Sequence, residues 1–265
     1  MIKEMKLHNP IYAIAWFIGR LEKYIELLED CYCSTNDCKL ADLIIRIRKK
    51  ETSIKKLFVS NYQLISWFWG NIELIMEKQI GNFLFKKTSI KGVYKIDVKK
   101  YGDNRGYFME TYKKTDFDEA GLVYNFVQDN QSKSKKGVLR GLHFQKQYPQ
   151  AKLVRCIEGE VFDVCVDLRP GSPTYGKWEG VILSAEQGNQ FMIPRGFAHG
   201  FLVLSETATF CYKVDEFYHP EDEGGLMYND PDIGINWPDV GEILLSEKDK
   251  KNLSLKELNK LNLFK

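Results

Sequence analysis

The chain has 265 residues, 44% of them hydrophobic and 13% aromatic, which supplies a real core and excludes global disorder. Its net charge of +2 lies in residues 1–80, where 12 Lys+Arg face 10 Asp+Glu, and the remainder is balanced. A remainder without a concentrated basic face argues against nucleic-acid binding.

The start, Met1 to Lys6, leads into a short apolar patch ended by Arg20, which is not a secretory signal. Apolar residues at 14, 17, 18, 21, 24, 25 and 28 recur at helical spacing, with Arg20, Glu22, Lys23, Glu26 and Glu29 on the other side. Ser34 to Asp37 resembles a capping box and opens a second pattern through Leu40, Leu43, Ile44, Ile47, Ile54, Leu57 and Phe58. A third runs through Leu64, Ile65, Phe68, Ile72, Ile75 and Met76. Together they predict an α-helical extension over residues 1–81, followed by a separate domain over 82–265. The bland role for this leader is packing on its own core or on the domain that follows. The alternatives are dimerisation or docking of a partner, or membrane-surface contact through Trp16, Trp67, Phe68 and Trp69 beside Arg46, Arg48, Lys49 and Lys50.

No apolar run approaches the ~18–20 residues needed for a membrane span. The six cysteines, at 31, 33, 38, 156, 165 and 211, form no paired framework. Cys31, Cys33 and Cys38 carry a weak zinc spacing without a nearby His, and Cys156 and Cys165 read as small buried hydrophobes. A reducing, cytoplasmic setting fits these features.

From residue 83 the pattern becomes short strands with turns about every ten residues. Gly92 to Val98, Leu153 to Ile157, Glu160 to Leu168, Val181 to Leu183, Gln190 to Ile193 and Thr207 to Val214 are examples. Gly159, Pro170-Gly171, Pro173, Gly188 and Pro194 supply turns, so the domain is mainly β, an antiparallel sandwich or barrel. Residues 246–262 are polar and form a short C-terminal helical segment.

Two of the four histidines stand in distinctive settings. Strict alternation puts residues 140, 142 and 144 on one face of a strand and 141, 143 and 145 on the other, so His143 shares a face with Gln145. A neutral-pH base aimed into a polar-lined cavity is one reading, and a hydrogen-bonded core histidine is the other. His199 sits beside Gly200, where backbone can approach a ligand, after the turn at Pro194 and Gly196. There is no H-x-H anywhere, since residue 141 is Gly, so a common metal-ligand spacing is missing and no metal is expected.

An ordered set of motifs carries more than either histidine. It comprises Asp103-Asn104-Arg105-Gly106 with Glu110, Gln128-Asp129-Asn130, Gly137 to Gln145, Lys152 to Cys156, Gly159 to Val164, Asp167-Leu168-Arg169, Ile193 to Phe201, Tyr212-Lys213, Asn229-Asp230-Pro231, Ile235 to Pro238 and Leu245 to Asp249. In this order, over roughly residues 83–262, the chain resembles the dTDP-4-dehydrorhamnose 3,5-epimerase family of cupin-like sugar-nucleotide epimerases.

The resemblance implies a cupin-type jelly-roll barrel, a homodimer paired through exchanged strands, no cofactor, and a nucleoside-diphosphate 4-keto-6-deoxy hexose as substrate. Protons at C3 and C5 of that sugar need a base, a stabiliser for the enolate oxygen, and an acid on the opposite face. Residue by residue, His143 matches the base, Asp249 the carboxylate that orients it, Lys152 the cation near the keto oxygen, and Tyr212 the opposite-face donor. Arg105, Glu110, Gln128, Asn130, Arg140, His199, Glu223 and Lys248 match substrate-binding positions, with Ser132 as an added hydroxyl donor and Tyr218 as an aromatic near the sugar. Phe217 stands where the family often has a tyrosine, which puts the handling of C3 against C5 in doubt. The family pattern has no counterpart of residues 1–81. Inversion of C3 alone or C5 alone, and a non-catalytic sugar-nucleotide binding module, are the competing functions.

Overall fold

The computed structural model of the protein describes residues 77–261. The helical leader, its partner-docking and membrane-surface roles, and Cys31, Cys33 and Cys38 lie outside the described residues. Strand β1 (Glu77–Ile80) already belongs to the sheet, so the β domain begins before the boundary expected at 81/82. The cause is a tight turn at Gly81-Asn82 that folds β1 back on β2 (Phe83–Lys87). Among the described residues, no helix is long and apolar enough to cross a membrane.

The following strands are β3 (Tyr94–Val98), β4 (Lys100–Asp103), β5 (Gly106–Met109), β6 (Gln128–Lys135), β7 (Leu139–Gln145), β8 (Lys152–Glu158) and β9 (Glu160–Asp167). Next come β10 (Trp178–Ser184), β11 (Gln190–Ile193), β12 (Phe197–Val203), β13 (Thr207–Val214) and β14 (Glu223–Gly225). Helix α1 (Lys114–Glu119) precedes β6, and a 3-10 turn (Asp249–Lys251) and helix α2 (Leu255–Lys260) follow β14. The sequence-predicted strands fall where expected, and the C-terminal segment is helical in two short pieces.

One sheet runs β1-β2-β3-β11-β8-β13-β6 and a second β10-β9-β12-β7-β14, with every strand pair antiparallel. Period-2 alternation explains how they stack. Val154 and Cys156 of β8 and Ala208 and Phe210 of β13 meet Val161 and Cys165 of β9 and Phe197 and Phe201 of β12 in one core between the sheets. The opposite residues of β9, Val164 and Val166, pack with Leu226, Ile233, Leu255 and Leu258, so the C-terminal segment covers the outside of the smaller sheet. Phe83, Phe85 and Phe117 make edge-to-face contacts under α1 on the outside of the larger one. Each such ring, fully buried, contributes roughly 1.5–3 kcal/mol. Cys156, Cys165 and Cys211 are buried free thiols.

Strict alternation fails on β7. The β12–β7 register shifts between His199 and Phe201, at the point where Gly141 lies against Gly200. Gly141 has φ 121°, and a Cβ there would come within 2.7 Å of the Gly200 Cα and the His199 carbonyl. The irregularity brings Arg140 and His143 to the same cavity, where the sequence pattern placed them on opposite faces.

Candidate active site

One end of the space between the sheets is open as a cavity of about 550 Å³. The smaller sheet contributes Arg140 and His143 from β7, His199 from β12 and Glu223 from β14. The larger sheet contributes Ser132 from β6, Lys152 from β8 and Tyr212 from β13. Tyr218 and Lys248, from connecting segments, and Asp249, from the 3-10 turn, complete the set. Gln128 and Asn130, bonded to each other at 2.8 Å, line an adjoining pocket that shares His143, Lys152, Tyr212, Tyr218 and Glu223.

Asp249 reaches His143 across 106 residues because the C-terminal segment is pinned to β7. Asn252 Nδ2 donates to the Gly141 carbonyl at 3.1 Å, and Ser246 Oγ accepts from the Asp249 amide at 3.0 Å. His143 Nε2 lies 2.6 Å from Asp249 Oδ1. Burial pushes the Asp249 carboxyl up, but the hydrogen bond and charge of His143 outweigh it and leave the pKa below the usual range. An ionised Asp249 accepts the Nε2 proton, so the lone pair of a neutral His143 sits on Nδ1. That nitrogen is 3.9 Å from Glu223 Oε1.

Glu223 is held in turn by Lys248 Nζ and by the Tyr218 hydroxyl, each at 2.5 Å. Burial works against its charge, and these donors win, lowering its pKa. The same bond raises Tyr218 to about 12. Across the cavity, burial raises the Tyr212 pKa and keeps its phenol protonated at neutral pH. Lys152 Nζ lies 6.0 Å from the Tyr212 ring centroid. Desolvation lowers the Lys152 pKa to about 8, opposed by the charges of Asp163 and Glu223.

Arg105 and Glu110 are not brought to this cavity within the chain. Arg105 is exposed at the tip of the β4–β5 hairpin, bonded to Asp103, and Glu110 is bonded to Asn82. Three residues escaped the sequence reading. Ser134 accepts from Arg140 Nε at 3.0 Å, and Ser246 supports Asp249. Asp163, fully buried on β9, accepts from His199 Nε2 at 2.9 Å. The signal for Asp163 was present: a carboxylate flanked by Val161 and Cys165 on an inward-facing strand row.

The family model of dTDP-4-dehydrorhamnose 3,5-epimerase matches residues 87–257. The chain belongs to the dTDP-4-dehydrorhamnose 3,5-epimerase family. The protein of that name from Methanothermobacter thermautotrophicus is 54% identical over 180 residues, 67% of this chain and 97% of the relative. The Escherichia coli protein of the same name is 50% identical over the same shares. Among solved structures, the epimerase of Legionella pneumophila in complex with dTDP-4-keto-L-rhamnose is 49% identical, with a TM-score of 0.66 over 69% of this chain and 97% of that one.

Proposed function

We propose that the protein converts dTDP-4-dehydro-6-deoxyglucose to dTDP-4-dehydrorhamnose by inverting C3 and C5. The observation that carries this reading is that His143 and Tyr212 face one cavity from opposite sheets. Inversion needs this arrangement, a base on one side of the sugar ring and a proton donor on the other.

His143 Nδ1 takes the proton next to the keto group, and the imidazolium that forms is stabilised by Asp249 at Nε2 and by Glu223 near Nδ1. Lys152 supplies positive charge to the enolate oxygen, worth several kcal/mol where water is scarce. Tyr212 returns a proton to the opposite face. Arg140, aligned by Ser134, suits the diphosphate because a guanidinium binds two oxygens at once. Ser132, Gln128, Asn130, His199, Tyr218, Glu223 and Lys248 hold the remaining sugar-nucleotide groups, and the reaction uses no cofactor.

A homodimer would account for Arg105. The hairpin that carries Arg105 also exposes Tyr101, Tyr107 and Phe108, an apolar surface suited to a second copy of the chain. Pairing through it would deliver Arg105 to the partner's cavity. The reaction belongs to the cytoplasm, where nucleotide sugars are made. Incubation with dTDP-4-dehydro-6-deoxyglucose tests the function: NMR should show inverted configuration at both C3 and C5. Inversion at one carbon makes it a single-carbon epimerase, and tight binding without turnover makes it a sugar-nucleotide binding module.

A further inference from the structure

Gln145 ends β7 two residues after His143 and stands opposite Glu223 in the β7–β14 pairing. It is 5% exposed, and both ends of its carboxamide are bonded. Nε2 donates to the carbonyls of Tyr148 at 2.6 Å and Phe217 at 3.1 Å. Oε1 accepts from the His219 amide at 2.8 Å. Two carbonyls at one end and an N–H at the other fix which way the carboxamide points.

The Phe217 carbonyl and the His219 amide belong to the two peptide groups that flank Tyr218. One buried side chain therefore grips the backbone on both sides of that residue. The Tyr218 amide itself donates to Gln128 Oε1 at 3.4 Å. Asp222, also 5% exposed, returns the contact from the segment between β13 and β14. Its Oδ2 accepts from the amides of Gln147 and Tyr148 at 2.8 and 2.9 Å, and the Tyr148 and His219 rings stack at 4.1 Å. Residues 146–151 and 215–222 are thus locked to each other. Tyr218, by contrast, is 50% exposed, so its own packing does little to hold it. Its hydroxyl donates to Glu223 Oε2, and Glu223 Oε1 lies 3.9 Å from His143 Nδ1.

We propose that Gln145 is a positioning residue for the reaction, which clamps the backbone around Tyr218 and so keeps that hydroxyl on Glu223, beside the base. This deepens the proposed epimerisation and rests on it. Tyr218 and Glu223 border the sugar-nucleotide, and small displacements of such groups are costly to turnover. Gln145 acts on the substrate only through them.

Gln145→Met keeps the length of the side chain and removes both the donor and the acceptor. It should lower kcat/KM about tenfold or more. In a Tyr218→Ala background the same change should cost less than about threefold, because the residue it positions is gone. Costs that multiply, or a lowered Tm with kcat/KM unchanged, overturn the proposal. A second readout needs no substrate. In protein labelled at tyrosine Cζ, the Tyr218 resonance, assigned by its loss in Tyr218→Ala, should move at pH 8 toward that of a solvent-exposed phenol in Gln145→Met. An unmoved resonance also overturns the proposal. Should Gln145→Met not fold, Gln145→Glu keeps an acceptor for His219 and loses the donors to Tyr148 and Phe217. Its Tyr218 resonance should move the same way, and its staying in place counts equally against the clamp. If wild-type protein fails to turn over the keto sugar, the function is wrong, while the Tyr218 resonance still decides the role of Gln145.

Discussion

His143 and Tyr212 should fail differently when changed, because they stand on opposite walls of the cavity. His143→Ala removes the base and should lower turnover at least ~10²-fold, together with any exchange of sugar protons with solvent. Tyr212→Phe keeps His143 and Lys152, so the enolate still forms and is reprotonated from its original face. Solvent deuterium should then enter with retention while net inversion falls, as read by NMR of the recovered sugar; inversion at the wild-type rate would remove Tyr212 as the acid. Lys152 sets the alkaline side of the pH profile. Its pKa is about 8 and the reaction uses the ammonium, so kcat/KM should be sustained below that pH and decline as pH rises through it. A profile flat to pH 10 contradicts that role. The singular settings of His143 and His199 were legible in the sequence, since a histidine in a polar–apolar strand pattern has few uses. Asp163 was harder to see, because its meaning depends on His199 lying across the β9–β12 pairing, 36 residues away.

Elements explain why some neighbours could not be read from spacing. Period-2 alternation located β8, β9, β11 and β13 and the core row between the sheets, because each face meets a different environment. It misplaced Arg140 relative to His143, because a register shift opposite Gly200 breaks the period at one point. The Asp249–His143 contact is set by the docking of Asn252 on Gly141, a long-range event that local pattern does not encode. The β4–β5 hairpin raises the reverse problem, a matched residue with no place in its own chain's cavity. If Arg105 serves the partner's site, Arg105→Ala and His143→Ala chains, each nearly inactive alone, should complement on mixing. Half of the random dimers are mixed and each holds one intact site, giving about a quarter of wild-type activity. Absence of recovery, with mixed dimers demonstrated by mass spectrometry, would place Arg105 in its own chain's function.

For the molecule as a whole, every matched catalytic position lies beyond residue 100, and the β domain is continuous from Glu77. A chain beginning at residue 74 should therefore keep wild-type kcat, with lower solubility if the leader covers apolar surface. A truncated protein that folds and dimerises but is inactive would make the leader part of the catalytic unit. The central claim is paired proton abstraction and opposite-face return, and solvent exchange reads it directly. Wild-type protein incubated with dTDP-4-dehydro-6-deoxyglucose in D2O should give product carrying deuterium at both C3 and C5, each with inverted configuration. Product or recovered sugar without deuterium at either carbon would contradict the account.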